Sequence, residues 1–235
     1  MLGKTEPIYL TAQIRLIERA AVDDNPRLQL MERAGEAAAD IARSLLGENA
    51  TNVLVLAGPG NNGGDAYVVA RLLKRWFYHV DVVALADPKK IDGDASKAFD
   101  MWREAGGDIH ETLPADQRYD LVIDGLFGIG LTREISGAYR KLIEQVIALG
   151  TPVLALDIPS GLDSDTGMVR GIALPAHDTV TFIALKPGLL TRDGPVATII
   201  LNRPERLNAL ANRMRETVAA HVRDLDRDPA CRVLV

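Results

Sequence analysis

A single cysteine, Cys231, stands in a chain of 235 residues. It has no partner for an internal disulfide and no ligand-spaced neighbour, which excludes a disulfide scaffold, argues against a zinc site and points to a reducing compartment. No apolar run reaches the ~18 residues of a spanning helix, because Arg, Lys, Asp or Gly interrupts every Leu/Val/Ile stretch. The start, Met1-Leu2-Gly3-Lys4-Thr5-Glu6-Pro7, lacks the basic flank and apolar stretch of a secretion signal. A cytoplasmic chain with no membrane partner is the expectation. The formal net charge of -5 opposes a phosphate backbone, and there is no dense Lys/Arg stripe with interleaved aromatics, so no nucleic acid is expected either. What remains is globular in composition, with 47% hydrophobic and 25% charged residues. The length suits one domain of ordinary size, or one domain with an appendage, rather than two catalytic domains.

Residues 11–46 read as two helices. In the second, Met31, Ala34, Ala38, Ile41 and Leu45 recur at three- and four-residue spacing and form one apolar face, with Gly47 as a stop. Short apolar runs at 53–56, 80–85, 121–123 and 153–156 have the character of strands buried on both faces, and a further strand is expected at 179–184. Helical patterns at 65–75, 93–105 and 135–149 separate them. This alternation predicts an α/β fold: a three-layer, Rossmann-like, doubly wound and mainly parallel sheet with right-handed crossovers. Arg71, Lys74 and Arg75 are expected on the solvated face of the helix that carries them. In such sheets ligands sit beyond the carboxyl ends of the strands.

Three such ends carry chemistry. The first strand runs into Gly58-Pro59-Gly60-Asn61-Asn62-Gly63-Gly64-Asp65. Glycines permit close backbone approach, and a following helix N-terminus offers free N–H groups to an anion. Gly58, Gly60 and Gly63 fit a dinucleotide fingerprint, with Asp81 either the ribose-binding acid or an ordinary strand residue. Asp65 reads either as a helix cap or as a ligand contact, and Asn61 and Asn62 supply amides for a ligand or a cation. The third strand ends in Asp124 and a second Gly-rich loop, which would face the first across the crevice. The fourth ends in Asp157, where a catalytic carboxylate is expected, followed by Asp163 and Asp165 as turn formers beside Gly161 and Gly167.

Met31-Glu32-Arg33-Ala34-Gly35, the Gly58 and Asp124 loops, the Asp157 segment, and Thr179-Val180-Thr181-Phe182 with Lys186-Pro187-Gly188 together resemble the NAD(P)H-hydrate epimerase family. The resemblance covers about residues 9–190. It implies epimerisation of the R and S forms of hydrated NADH or NADPH, a repair reaction on the nicotinamide cofactor. Carried over by position, it implies substrate binding by Asn61, Asn62, Gly63, Gly64 and Asp65, by Gly128, Ile129, Gly130, Leu131, Thr132, Arg133 and Glu134, and by Tyr139 and Asp157. It implies a potassium ion held by Asn62, Asp124 and Ser160, an oxygen donor set of the kind hard cations take. Asp157 is the expected general acid/base. A separate dehydratase is the expected pathway partner, and the resemblance leaves room for a homodimer. Two other readings use the same residues. One is a non-catalytic nucleotide-binding or scaffold module of this fold. The other is an NAD-dependent dehydrogenase, for which no hydride-transfer partner such as a Tyr/Lys pair accompanies the glycines.

The first resemblance places an epimerase-like domain at 1–194, and 195–235 reads differently. From Pro195 the chain resembles the opening strand, turn and helix of the enoyl-CoA hydratase (crotonase) family, with residues 231–235 like the start of its next strand. The catalytic segments of that family would lie later, so no hydratase activity and no independent domain are expected. Two readings of this segment stand: a loosely packed tail, or a strand at 196–201 that closes the sheet, which its Thr/Ile/Val content favours.

Overall fold

The computed structural model describes residues 8–25, 27–47, 49–115 and 117–190, and the backbone of 198–200. Helices α1 (Thr11–Asp24) and α2 (Leu30–Leu45) precede strand β1 (Asn52–Ala57). The chain continues through α3 (Asn61–Arg75), β2 (His79–Ala84), α4 (Gly93–Glu104), β3 (Ile109–His110) and β4 (Leu121–Gly125). It closes with α5 (Gly137–Leu149), β5 (Val153–Leu156), β6 (Asp178–Thr181) and β7 (Thr198–Ile200). One seven-stranded sheet has the order β3-β2-β1-β4-β5-β6-β7, and each adjacent pair is parallel. The expected doubly wound α/β architecture is therefore present.

Alternation along β1 builds the layers. Val53, Val55 and Ala57 pack into one core with α2, α3 and α4, while Leu54 and Leu56 face the opposite side and join a second core with Leu142, Ile143 and Val146 of α5. A strand covered on both faces cannot alternate apolar with polar, which is why these runs are continuously apolar.

Several local expectations shift. Leu45 is exposed and Leu46 is buried instead, placing the apolar stripe of α2 one residue further at its end. Arg71 is not on a solvated face: it is 7% exposed and forms an ion pair with Glu32 of α2. Lys74 and Arg75 are exposed, as expected. The strand expected over 179–184 ends at Thr181, because the chain leaves the sheet at Phe182 and takes a positive φ of 64° at Ile183. A strand at 109–110 was not visible in the pattern, being only two residues long. The closing strand is present as β7, parallel to β6 with Val180 opposite Ile199. The helix expected to about Arg227 and the strand start at 231–235 lie outside the described residues.

Candidate active site

The strand order reverses between β1 and β4, and the segments leaving β1, β4, β5 and β6 meet beyond that point around a cavity of about 430 Å³. From β1 come Pro59, Gly60, Asn61, Asn62 and Asp65. Asn61, Asn62 and Asp65 are not in a loop: α3 begins at Asn61, with Gly60 as its N-cap. The helix can start this early because Gly63 lies against the preceding turn. A β-carbon on Gly63 would come within 1.9 Å of the Gly58 carbonyl oxygen, so only glycine permits this approach. Gly63→Ala should accordingly lower stability by about 3 kcal/mol through backbone overpacking. An unchanged denaturation midpoint for that variant would contradict the assignment. Asp65 sits on the second turn of α3, which removes its reading as a cap.

Asp124 lies within β4 rather than after it and is fully buried. Its carboxylate accepts from the Ser160 hydroxyl at 2.6 Å, the Ser160 N–H at 2.8 Å and the Leu126 N–H at 3.3 Å. Burial pushes this carboxyl up to about 6, against the pull of those hydrogen bonds. The Ser160 oxygen in turn accepts from the Phe127 N–H at 2.9 Å. Asn62 lies beside the same loop, since a β-carbon on Gly128 would be 3.2 Å from its Cγ. Both polar atoms of the Asn62 side chain are buried without a hydrogen-bond partner. A buried amide left unpaired costs about 1–3 kcal/mol, and here it leaves Asn62 with both a donor and an acceptor to offer a ligand. The oxygens of Asn62, Asp124 and Ser160 fit a hard monovalent cation in type. Among the described residues no group of three His, Cys, Asp or Glu side chains forms a metal site.

Asp157 follows β5 and has a positive φ of 68°, a conformation a non-glycine residue holds only when its surroundings impose it. Its N–H donates to the Val180 carbonyl at 2.7 Å, and its carboxylate accepts from the Phe182 N–H at 3.2 Å and from Lys186. Lys186 is fully buried, and its ammonium also donates to Thr181 Oγ1 at 2.6 Å and the Phe182 carbonyl at 2.9 Å. Each of its three N–H bonds thus has an acceptor. Asp65 faces the same cavity. Burial, followed by the negative charges of Asp157 and Glu18, holds its carboxyl well above the usual carboxylate range, with Lys186 opposing the shift.

The residues expected at the site divide. Asn61, Asn62, Asp65, Asp157 and the run Gly128, Ile129, Gly130, Leu131, Thr132 and Arg133 line the cavity. Gly63, Gly64, Glu134 and Tyr139 do not: the glycines pack inside the molecule, and Tyr139 stacks edge-on against Phe127 with ring centroids 4.9 Å apart. Asp81 is not a ribose contact. It lies in the middle of β2, accepts from the Tyr119 hydroxyl at 2.9 Å and faces His110. Asp163 is a turn former as expected, accepting from Asp165 and Thr166 N–H groups, whereas Asp165 reaches back to α1 and accepts from the Thr11 N–H at 2.7 Å.

Sequence reasoning anticipated a helix at α1 and a motif at Lys186 but missed the part each plays at the site. Ile14, Arg15 and Glu18 line the cavity, with α1 pinned by the Thr11–Asp165 bonds, by a Thr11–Ser164 hydroxyl contact of 2.6 Å and by Tyr9 N–H to the Leu185 carbonyl at 2.9 Å. No local signal announces this placement, because those tethers come from residues far along the chain.

Comparison with known proteins agrees with the geometry. The family described as YjeF-related protein N-terminus matches residues 27–188. A Bordetella pertussis protein named NAD(P)H-hydrate epimerase is 51% identical over 189 residues, 79% of this chain and 81% of its own length. An Achromobacter xylosoxidans protein of the same name is 42% identical over 189 residues, 80% of this chain and 89% of that one. An Escherichia coli protein named bifunctional NAD(P)H-hydrate repair enzyme Nnr is 42% identical over 187 residues, 78% of this chain and 36% of that longer one. The crystal structure of yeast YNL200c shares the fold, with a TM-score of 0.70 and 19% identity over 90% of this chain and 93% of that one. With the family matched across most of the chain and 51% of 189 aligned residues identical to a named epimerase, this chain belongs to the NAD(P)H-hydrate epimerase family.

Proposed function

We propose that the chain is an isomerase that interconverts the R and S forms of NADH or NADPH hydrated at C6 of the nicotinamide ring. The observation that carries this is Asp157, a buried carboxylate held in a strained backbone at the wall of a cavity of about 430 Å³, in a chain of this family. A cavity of this size takes the ring and ribose portion of a dinucleotide, with the remainder at its mouth. Asp157 accepts the C6 hydroxyl proton as the C6–N1 bond breaks. The C6 oxygen becomes a carbonyl, the bonding pair goes to N1, and a proton is delivered there. Rotation about the chain and re-addition of N1 to the other carbonyl face give the opposite epimer, with the proton returned to oxygen. The buried Lys186 ammonium fixes the Asp157 carboxylate in orientation throughout.

Asn62, Asp124 and Ser160 would hold potassium, which supplies positive charge next to the two glycine-rich segments. The orphaned Asn62 amide supports this. Asn62→Ala or Asp124→Ala is expected to abolish most of the potassium-dependent rise in melting temperature, because each deletes an oxygen ligand. Equal potassium shifts in parent and variants, measured by thermal denaturation against a sodium control, would rule the ligand set out. A dehydratase acting on the hydrate is the expected pathway partner. The activity itself is tested by mixing purified protein with the R epimer and following the epimer ratio by chromatography. Equilibration at the spontaneous rate would overturn the proposal.

A further inference from the structure

The cavity is lined by two cations among the described residues, Arg15 of α1 and Arg133 of the segment after β4. A β-carbon on Gly130 would lie 3.7 Å from the Arg15 guanidinium, so Arg15 rests along the segment that carries Arg133 three residues later. Both side chains are exposed, and neither has a hydrogen bond or ion pair among the described residues. Gly60 and Asn61, at the N-terminus of α3, open into the same cavity and add the partial positive charge of a helix start. The carboxylates are placed otherwise. Asp65 projects from the second turn of α3, Asp157 emerges past β5, and Glu18 lies one turn beyond Arg15, about 4.5 Å further along α1. Burial and the charge of Asp157 raise the Glu18 carboxyl, with the charges of Lys186 and Arg15 opposing the shift. Charge therefore changes sign along α1, from the Arg15 guanidinium to the Glu18 carboxylate.

We propose that Arg15, together with Arg133, binds the diphosphate bridge of the hydrated dinucleotide, making α1 a substrate-binding element that directs the hydrated ring toward Asp157. This rests on the epimerase function proposed above. The planar, forked guanidinium suits phosphate oxygens in a way a single amine does not, and two unpaired guanidinium groups along one segment match a ligand with two adjacent phosphates. The ring end of the substrate is uncharged in its hydrated form, so it has no opposing preference for the cationic side.

The test compares two substrates on parent, Arg15→Ala and Arg15→Lys: hydrated NADH and the hydrated, reduced nicotinamide riboside, which has the same ring and no phosphate. With hydrated NADH, Arg15→Ala should raise KM about tenfold with kcat within about twofold, and Arg15→Lys should recover part of the loss. With the riboside the three proteins should have the same KM. An equal penalty on both substrates would assign Arg15 to holding α1 in place, and no penalty on either would remove it from binding; both results overturn the proposal. Calorimetric titration with inorganic diphosphate separates this from the activity itself. If the parent proves inert as an epimerase, binding that Arg15→Ala weakens about tenfold still supports the anion site, and equal binding overturns it.

Discussion

Asp157→Asn should slow interconversion of the hydrate epimers by about 10²- to 10⁴-fold, because the amide keeps the shape of the carboxylate but cannot exchange protons. The structure adds a second effect that side-chain shape alone would not suggest. Lys186 is fully buried and Asp157 is its counterion. Removing that charge leaves an ammonium uncompensated in the interior, a loss of about 3–5 kcal/mol. The variant should therefore be both inactive and markedly less stable. Pairing it with Lys186→Met deletes the stranded charge with an apolar chain of similar length, and the double variant should regain much of the stability with none of the activity. Epimerisation at the parent rate by Asp157→Asn would remove this residue from the chemistry. An unchanged melting temperature would mean that the ion pair contributes nothing net.

Ending the chain after Gly194 should destabilise it by several kcal/mol, on the order of the loss of a paired edge strand. The reason lies in β7, which pairs with β6 at Thr198, Ile199 and Ile200. β6 is otherwise an edge, yet Thr179, Val180 and Thr181 are buried. The same strand supports the site: Val180 accepts from the Asp157 N–H, and Thr181 accepts from Lys186. Activity should consequently fall along with stability and return in part at low temperature, where β6 stays in place. A chain ending at Gly194 that melts with the parent and turns over hydrate at the parent rate would show that the β6–β7 pairing is dispensable.

The sheet was legible because burial on both faces leaves continuous apolar runs, and β1 and β5 were placed to within one residue by that signal alone. Two features escaped for physical reasons. Asn61-Asn62-Gly63-Gly64 has poor helix propensity and looks like a loop, but the tight contact between Gly63 and Gly58 draws it into the first turn of α3. Arg71 follows a helical pattern in which charge suggests solvent, and only the approach of α2 with Glu32 shows that it is buried. For the site, the carboxyl ends of β1, β4 and β5 were readable because the fold dictates where ligands sit. The contribution of α1 was not, since the tether from Thr11 to Asp165 spans 154 positions and leaves no trace in local periodicity. Lys186 was visible as part of a motif, but its burial against Asp157 depends on the turn after β6, which no pattern of spacing encodes.

The reversal of strand order has a consequence in time as well as in space. Strands β1, β2 and β3 add outward in one direction and are all present in the chain by His110, whereas β4 to β7 add in the other direction and finish only at Ile200. On a ribosome the first half of the sheet is available well before the second. During that interval Asn62 is already in place on α3, but Asp124 and Ser160 have yet to arrive, so one side of the pocket waits for the other. Limited proteolysis of ribosome-stalled chains should accordingly find β1 and β2 protected at chain lengths that do not yet include β5 and β6. Ligand binding should appear only with the last of these, because no contiguous half of the chain holds both walls of the cavity.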